Sequence, residues 1–310
     1  MSRPSPFVLI AVLITSGPAT AAPSLNGCPM LPANNIWNTR IDKLPVHPLS
    51  KQYIDTLGRT TGLHMDFGSG NWDGGPIGIP YNVVRATQAP VAIGFQYSGQ
   101  SDPGPYPIPN KPKLEYPSDH HMLILDRDSC LLYETWNTKK TNAGAWRAGS
   151  GAIFNLGGNP LRPDGWTSAD AAGLPILPGL ARYDEVAKGA IKHALRFTAH
   201  ITRGHVWPAR HQTSAPDDPS LPPMGLRFRL KRGYDISSYP SQAQVLLTAM
   251  KRYGLILADN GSDWYVTGVP DPRWDNDLLH LLGGVKGDAF EAVDSSGLMI
   301  DPNSGEARQP

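Results

Sequence analysis

The chain has 310 residues, with 28 basic and 27 acidic side chains and a net charge of +1. That balance, with no long run of either sign, excludes the basic stripe that a nucleic-acid or anionic-membrane partner requires. Glycine (32) and proline (31) are nearly twice as frequent as usual, yet 40% of residues are hydrophobic and fall in patterned blocks, which implies a loop-rich folded body.

Residues 1–21 read as a secretory signal peptide. Arg3 supplies the positive start, 7–14 is a short apolar core, and Ala19-Thr20-Ala21 is a small-x-small cleavage pattern. The apolar core is far shorter than the roughly 20 residues that span a bilayer, and no later segment replaces it. The mature chain is therefore expected to be secreted, extracellular or periplasmic, and to have no membrane partner. In an oxidising compartment Cys28 and Cys130 are expected to form one structural disulfide. With no repeat or linker, 22–310 reads as a single β-rich domain and a monomer.

Along the chain, 50–58 predicts a short helix burying Tyr53, Ile54 and Leu57, and 68–80 is loop. Strands are expected at 81–84 and 91–97, followed by a proline-stiffened arm at 101–109. Two β-prone runs, 121–125 and 130–135, flank a polar turn and predict a hairpin. Further strands are expected at 153–156, 191–198 and 226–230, with a short helix at 167–173. The helix at 241–253 carries a Ser241-x-x-Gln244 capping box, an apolar stripe through Leu246 and Met250, and a Gly254 stop. Strand 255–258 is expected to pair with 264–267 through a type I′ turn at Asn260-Gly261. Many short strands and few helices predict a mostly-β sandwich or jelly-roll-like body with long Gly/Pro-rich loops.

Four of the nine histidines, His193, His200, His205 and His211, fall in one stretch of 19 residues, and His120 and His121 are adjacent. His121, His193 and His211 lie on three separate segments. They could converge as proton-transfer groups or as a zinc or copper centre, although no His-Glu-x-x-His spacing identifies a metal. The plain alternative is that they donate to backbone carbonyls in the core. Arg210 beside His211 offers a guanidinium for a carboxylate and an imidazole for a proton, or else an ordinary ion pair. Glu134, Asp184, Glu185 and Asp259 are candidate acid and base carboxylates, with a solvated turn as the alternative for Asp184 and Glu185. Trp72, Trp166 and Trp207 are candidate sugar-stacking platforms, with Asn260 beside Asp259 as a polar contact. Tryptophans fill cores equally well. No Gly-x-Ser-x-Gly elbow, Walker loop, dinucleotide fingerprint or EF-hand loop is present.

The segments 28–38, 172–180, 182–186, 193–198, 206–211 and 258–265 resemble those of a family of secreted bacterial proteins. The resemblance covers most of the mature chain. It implies export and a bacterial source, and it carries no activity and no catalytic residues.

The expectation is a secreted protein acting on extracellular or cell-wall polysaccharide. In a lyase version His211 or His121 abstracts a proton, Arg210 neutralises a uronate carboxylate, and Tyr133 protonates the leaving oxygen. In a hydrolase version Glu134, Asp184, Glu185 or Asp259 supplies acid and base. The other classes are a non-catalytic carbohydrate-binding or surface module, and a metal-dependent secreted enzyme. What separates them is whether His121, His193, Arg210 and His211 meet in one cleft.

Overall fold

A computed structural model describes residues 21–213 and 218–310, so the expected signal segment lies outside the described residues except for Ala21. Strand outweighs helix, 27% against 17%. The smaller main sheet orders its strands Ser150–Asn155, Leu131–Trp136, Met122–Asp126, Tyr81–Val84. Met122–Asp126 is buried throughout because both of its faces are covered. Leu123 and Leu125 enter the main core, whereas Met122 and Ile124 enter a satellite core with Ile93, Tyr106 and Ile108. That is the two-residue alternation of a strand with two apolar faces. The expected hairpin forms, with Leu125 opposite Leu132. Beside its turn Cys28 and Cys130 are bonded, their Cα atoms 5.4 Å apart.

The larger sheet has six strands in the order Phe290–Val293, Arg227–Leu230, Leu255–Asn260, Leu195–Ala199, Tyr265–Thr267, His64–Asp66. Phe197, Phe228, Trp264 and Phe290 interlock at its centre, with ring centroids between 5.0 Å and 5.8 Å apart. The helix Ser241–Arg252 buries Leu246, Leu247 and Met250 in the same core. Gly254 then reverses the chain at φ +72°, packed so tightly on the Phe228 carbonyl that a Cβ would collide with it. The main core draws on both sheets, from Leu25 to Ala307.

Several expectations are corrected. Tyr81–Val84 runs parallel to Met122–Asp126, Leu195–Ala199 parallel to Leu255–Asn260, and Tyr265–Thr267 parallel to His64–Asp66, so the sheets are not the all-antiparallel layers of a jelly roll. Tyr265–Thr267 does not pair with Leu255–Asn260, because Leu195–Ala199 lies between them. The type I′ turn is absent. Asn260 stays in the strand, where its amide donates to Ala199 O at 3.3 Å and accepts from Thr213 Oγ1 at 2.5 Å. Residues 167–173 form turns rather than a helix, since the Ser168 and Asp170 side chains are drawn into tertiary bonds that compete with a helical ladder. The capping box does not form either. Pro240 is the N-cap and Gln244 donates back to Tyr239 O at 2.7 Å.

Candidate functional site

Leu195–Ala199 and Leu255–Asn260 run side by side in parallel, with Arg196 level with Ile256. Between Phe197 and Thr198 the register slips by one residue, so that Thr198 lies opposite Asp259. In a regular ladder Ala258 would occupy that place. The bulge therefore puts Asp259 on the same face as Arg196 and re-aims a carboxyl at the strand end. The Arg196 guanidinium spans both oxygens of Asp170, at 2.6 Å and 2.5 Å, and reaches Asp259 Oδ2 at 3.1 Å.

A cavity of about 450 Å³ opens beyond these strand ends. Asp259 and Asn260 from the larger sheet form one wall, and Trp136 and Ser150, paired neighbours at the end of the smaller sheet, form another. Tyr97 stacks beside Trp136 with ring centroids 6.4 Å apart, giving an aromatic platform. Gln100, Thr167, Ser168 and Thr213 add hydroxyl and amide groups, and Asp119, whose carboxylate accepts from the Trp136 indole at 3.2 Å, adds a second acid. Among the described residues no lysine or arginine lines this cavity.

Two reactive groups are held by one peptide unit on each side of Ala171. The Ala171 N–H donates to Asp259 Oδ1 at 3.2 Å, and the Ala171 carbonyl accepts from His211 Nδ1 at 2.8 Å. A carbonyl only accepts, so Nδ1 carries the proton, and a neutral His211 presents Nε2 as a bare lone pair in the cavity lining. Asp259 Oδ1 also accepts from the Asn260 N–H at 2.9 Å, so Oδ2, with Arg196 as its one donor, is the less occupied of two accepting oxygens. Burial, then the nearby Asp170 charge, push the Asp259 carboxyl up to about 7 against the pull of Arg196. It can therefore exchange a proton near neutral pH.

Of the four residues expected to meet, two reach this region. His211 lines the cavity, and His121 lies behind it, buried, with a ring nitrogen within 4.8 Å of Asp170 and Asp259. His193 is elsewhere. It is sealed in the core, donating from Nδ1 to Ala194 O at 2.8 Å, with Nε2 3.0 Å from Glu185. Arg210 points the opposite way from its neighbour His211, as consecutive residues of an extended chain do. Its guanidinium is spent on the Arg162 and Pro302 carbonyls, both at 2.7 Å, and on Asn303 at 2.9 Å.

The remaining candidates are placed as follows. Glu134 is fully buried and accepts the Ile176 and Leu177 amides, with burial pushing it up to about 8. Tyr133, on the other face of that strand, packs edge-on against Tyr106 at 5.5 Å in the satellite core. Asp184 and Glu185 lie in a short helix, Tyr183–Ala187, rather than on an extended turn. There Asp184 faces Lys188 at 3.4 Å, while Glu185 turns inward to Arg182 at 2.6 Å. Trp72 stands exposed on a separate small hairpin, and Trp166 lies under the Arg162 guanidinium. Trp207 packs on the core and donates to Ser304 O at 2.8 Å. None of these three lines the cavity, whereas Asn260 does.

His121, Asp170 and Asp259 group their donor atoms as a metal site would. The donor set does not suit a cation, because Arg196 already neutralises both oxygens of Asp170 and one of Asp259. Sequence reasoning missed Arg196, Asp170, Glu115, Asp119 and Trp136. Comparison of the chain with protein-family models, with curated proteins and with solved structures finds no match.

Proposed function

We propose that the protein is a secreted glycoside hydrolase acting on an uncharged extracellular or cell-wall glycan. The observation that carries this reading is the Ala171 arrangement. A carboxyl poised near neutral pH and an imidazole with a bare nitrogen are held together in a cavity walled by stacked aromatics, hydroxyls and amides. Sugar rings stack on aromatic faces and exchange hydrogen bonds with such neutral groups.

Asp259 Oδ2 gives its proton to the glycosidic oxygen as the bond to the anomeric carbon breaks. His211 Nε2 takes a proton from the water that attacks that carbon, and the Asp119 carboxylate stabilises the positive charge developing on the ring. Direct attack by water inverts the anomeric configuration. The uronate-lyase version loses its support, since Arg210 is bound to backbone, Tyr133 is in the satellite core, and no lysine or arginine among the described residues lines the cavity to meet an anionic sugar. The disulfide agrees with an oxidising destination.

The test is cleavage of a panel of neutral and uronic polysaccharides, followed by reducing ends and by proton NMR of the released anomer. Asp259→Asn and His211→Ala should each lower the rate by about 10²–10⁴-fold. Full activity in Asp259→Asn, or cleavage confined to uronic polymers, overturns the proposal. Retention on neutral glycans with no product indicates a binding module instead.

A further inference from the structure

Both ring nitrogens of His121 face oxygens, and with Glu115 ionised, as the nearby His121 and Arg196 hold it against burial, both of those oxygens can only accept. Nδ1 meets the Glu115 carboxylate, and Nε2 lies 3.2 Å from the Ala169 carbonyl. A neutral imidazole has a single N–H and would set a lone pair against one of these oxygens. At 2% exposure, water cannot relieve that clash. Only the doubly protonated ring satisfies both contacts. We propose that His121 is a buried imidazolium and the positioning residue of the site, setting the proton affinity of Asp259 through space without touching substrate. This rests on the reading of Asp259 as the acid.

The surroundings of Asp259 show why a second buried cation matters. The loop before Ala171 brings Asp170, the adjacent strand brings Arg196, the segment after residue 205 brings His211, and the start of Met122–Asp126 brings His121. Glu115 and Asp119 lie beside His121, Asp119 also lining the cavity, and Glu134 and Asp66 complete the ionisable shell. Arg196 is matched by Asp170 and His121 by Glu115. Arg196 also reaches Asp259 Oδ2 at 3.1 Å, so Asp259 has a share of one cation and none of its own. Without the imidazolium, the Glu115 charge would act on Asp259 uncompensated and bind its proton more tightly. The carboxyl would then give that proton to a leaving group less readily. In keeping with the pairing, and in spite of burial, Glu115 holds His121 up at about 9.

The first measurement needs no substitution. Nitrogen-15 spectra of histidine-labelled mature protein at pH 7.5 should show His121 with two protonated ring nitrogens. A neutral His121 ring overturns the proposal. The second follows the Asp259 carboxyl by carbon-13 titration, assigned with Asp259→Asn. His121→Gln should raise its midpoint by about one pKa unit or more, and Asp170→Asn should lower it. An unchanged midpoint in folded His121→Gln also overturns it. Neither measurement uses substrate. A chain that cleaves no glycan but keeps the imidazolium and its coupling to Asp259 therefore refutes the function and not the electrostatic link.

Discussion

Replacing Glu185 by glutamine tests whether His193 serves the fold rather than chemistry. The Glu185 carboxylate accepts from Arg182 at 2.6 Å and faces His193 Nε2 at 3.0 Å, in a pocket where all three side chains are buried. Burial works to raise its pKa, but His193 and Arg182 together outweigh it and hold the carboxyl down at about 2, from a reference of 4.5. At about 1.4 kcal/mol per pKa unit, that depression stabilises the folded state by about 3 kcal/mol at neutral pH. A depressed acid contributes fully above its unfolded pKa, and the contribution is lost as pH falls through the folded one. Roughly 1.5 kcal/mol should remain at pH 3. Urea unfolding of wild type and Glu185→Gln at pH 7 and pH 3 reads both values, provided the m-values agree. The penalty should be about 3 kcal/mol at pH 7 and about half that at pH 3. A penalty below about 1 kcal/mol at pH 7, or one that does not shrink with acid, refutes the reasoning.

Arg210→Gln should lower stability by about 2–4 kcal/mol, since three oxygens lose their donor, while glycan cleavage persists at a permissive temperature. A folded variant with abolished turnover would return Arg210 to the active site. The disulfide closes a loop with a sequence separation of 102, so Cys28→Ser with Cys130→Ser should cost about 4–5 kcal/mol and lower Tm by about 8–15 °C. An unchanged calorimetric Tm contradicts that. Trp136→Ala should raise KM for the glycan about tenfold with a smaller change in kcat, because the platform binds ground and transition states alike. Equal loss in kcat would place the indole in the chemistry.

Local patterns made the strands, the 121–135 hairpin and the 241–252 helix legible. Strand partners were not, because pairing is chosen by the whole core. Leu195–Ala199 inserts between two strands that adjacency alone would have joined. In the site, Asp259, Asn260 and His211 stood out by residue type and place. Arg196 did not. It shares a strand face with Lys192 and Ala194, which reads as outward, whereas here that face is closed over by Asp170. Its one sequence signal is an arginine set between leucine and phenylalanine. Asp170 was hidden in a stretch with helical composition. Trp136 was passed over because a strand end was less suggestive than the loops of Trp72 and Trp166, yet a strand end is where two sheets leave room for a ligand.

The two sides of Ala171 anchor groups that lie 48 residues apart in sequence, His211 and Asp259. Their separation is thus calibrated by a single rigid tether rather than by the strand and the loop that carry them. Thermal breathing of the 200–213 segment should carry both groups along in concert, and length variation in the outer turns should be tolerated without detuning the pair. A proline at 171, lacking the N–H that grips the carboxyl, would cut one arm of that tether and leave the other intact.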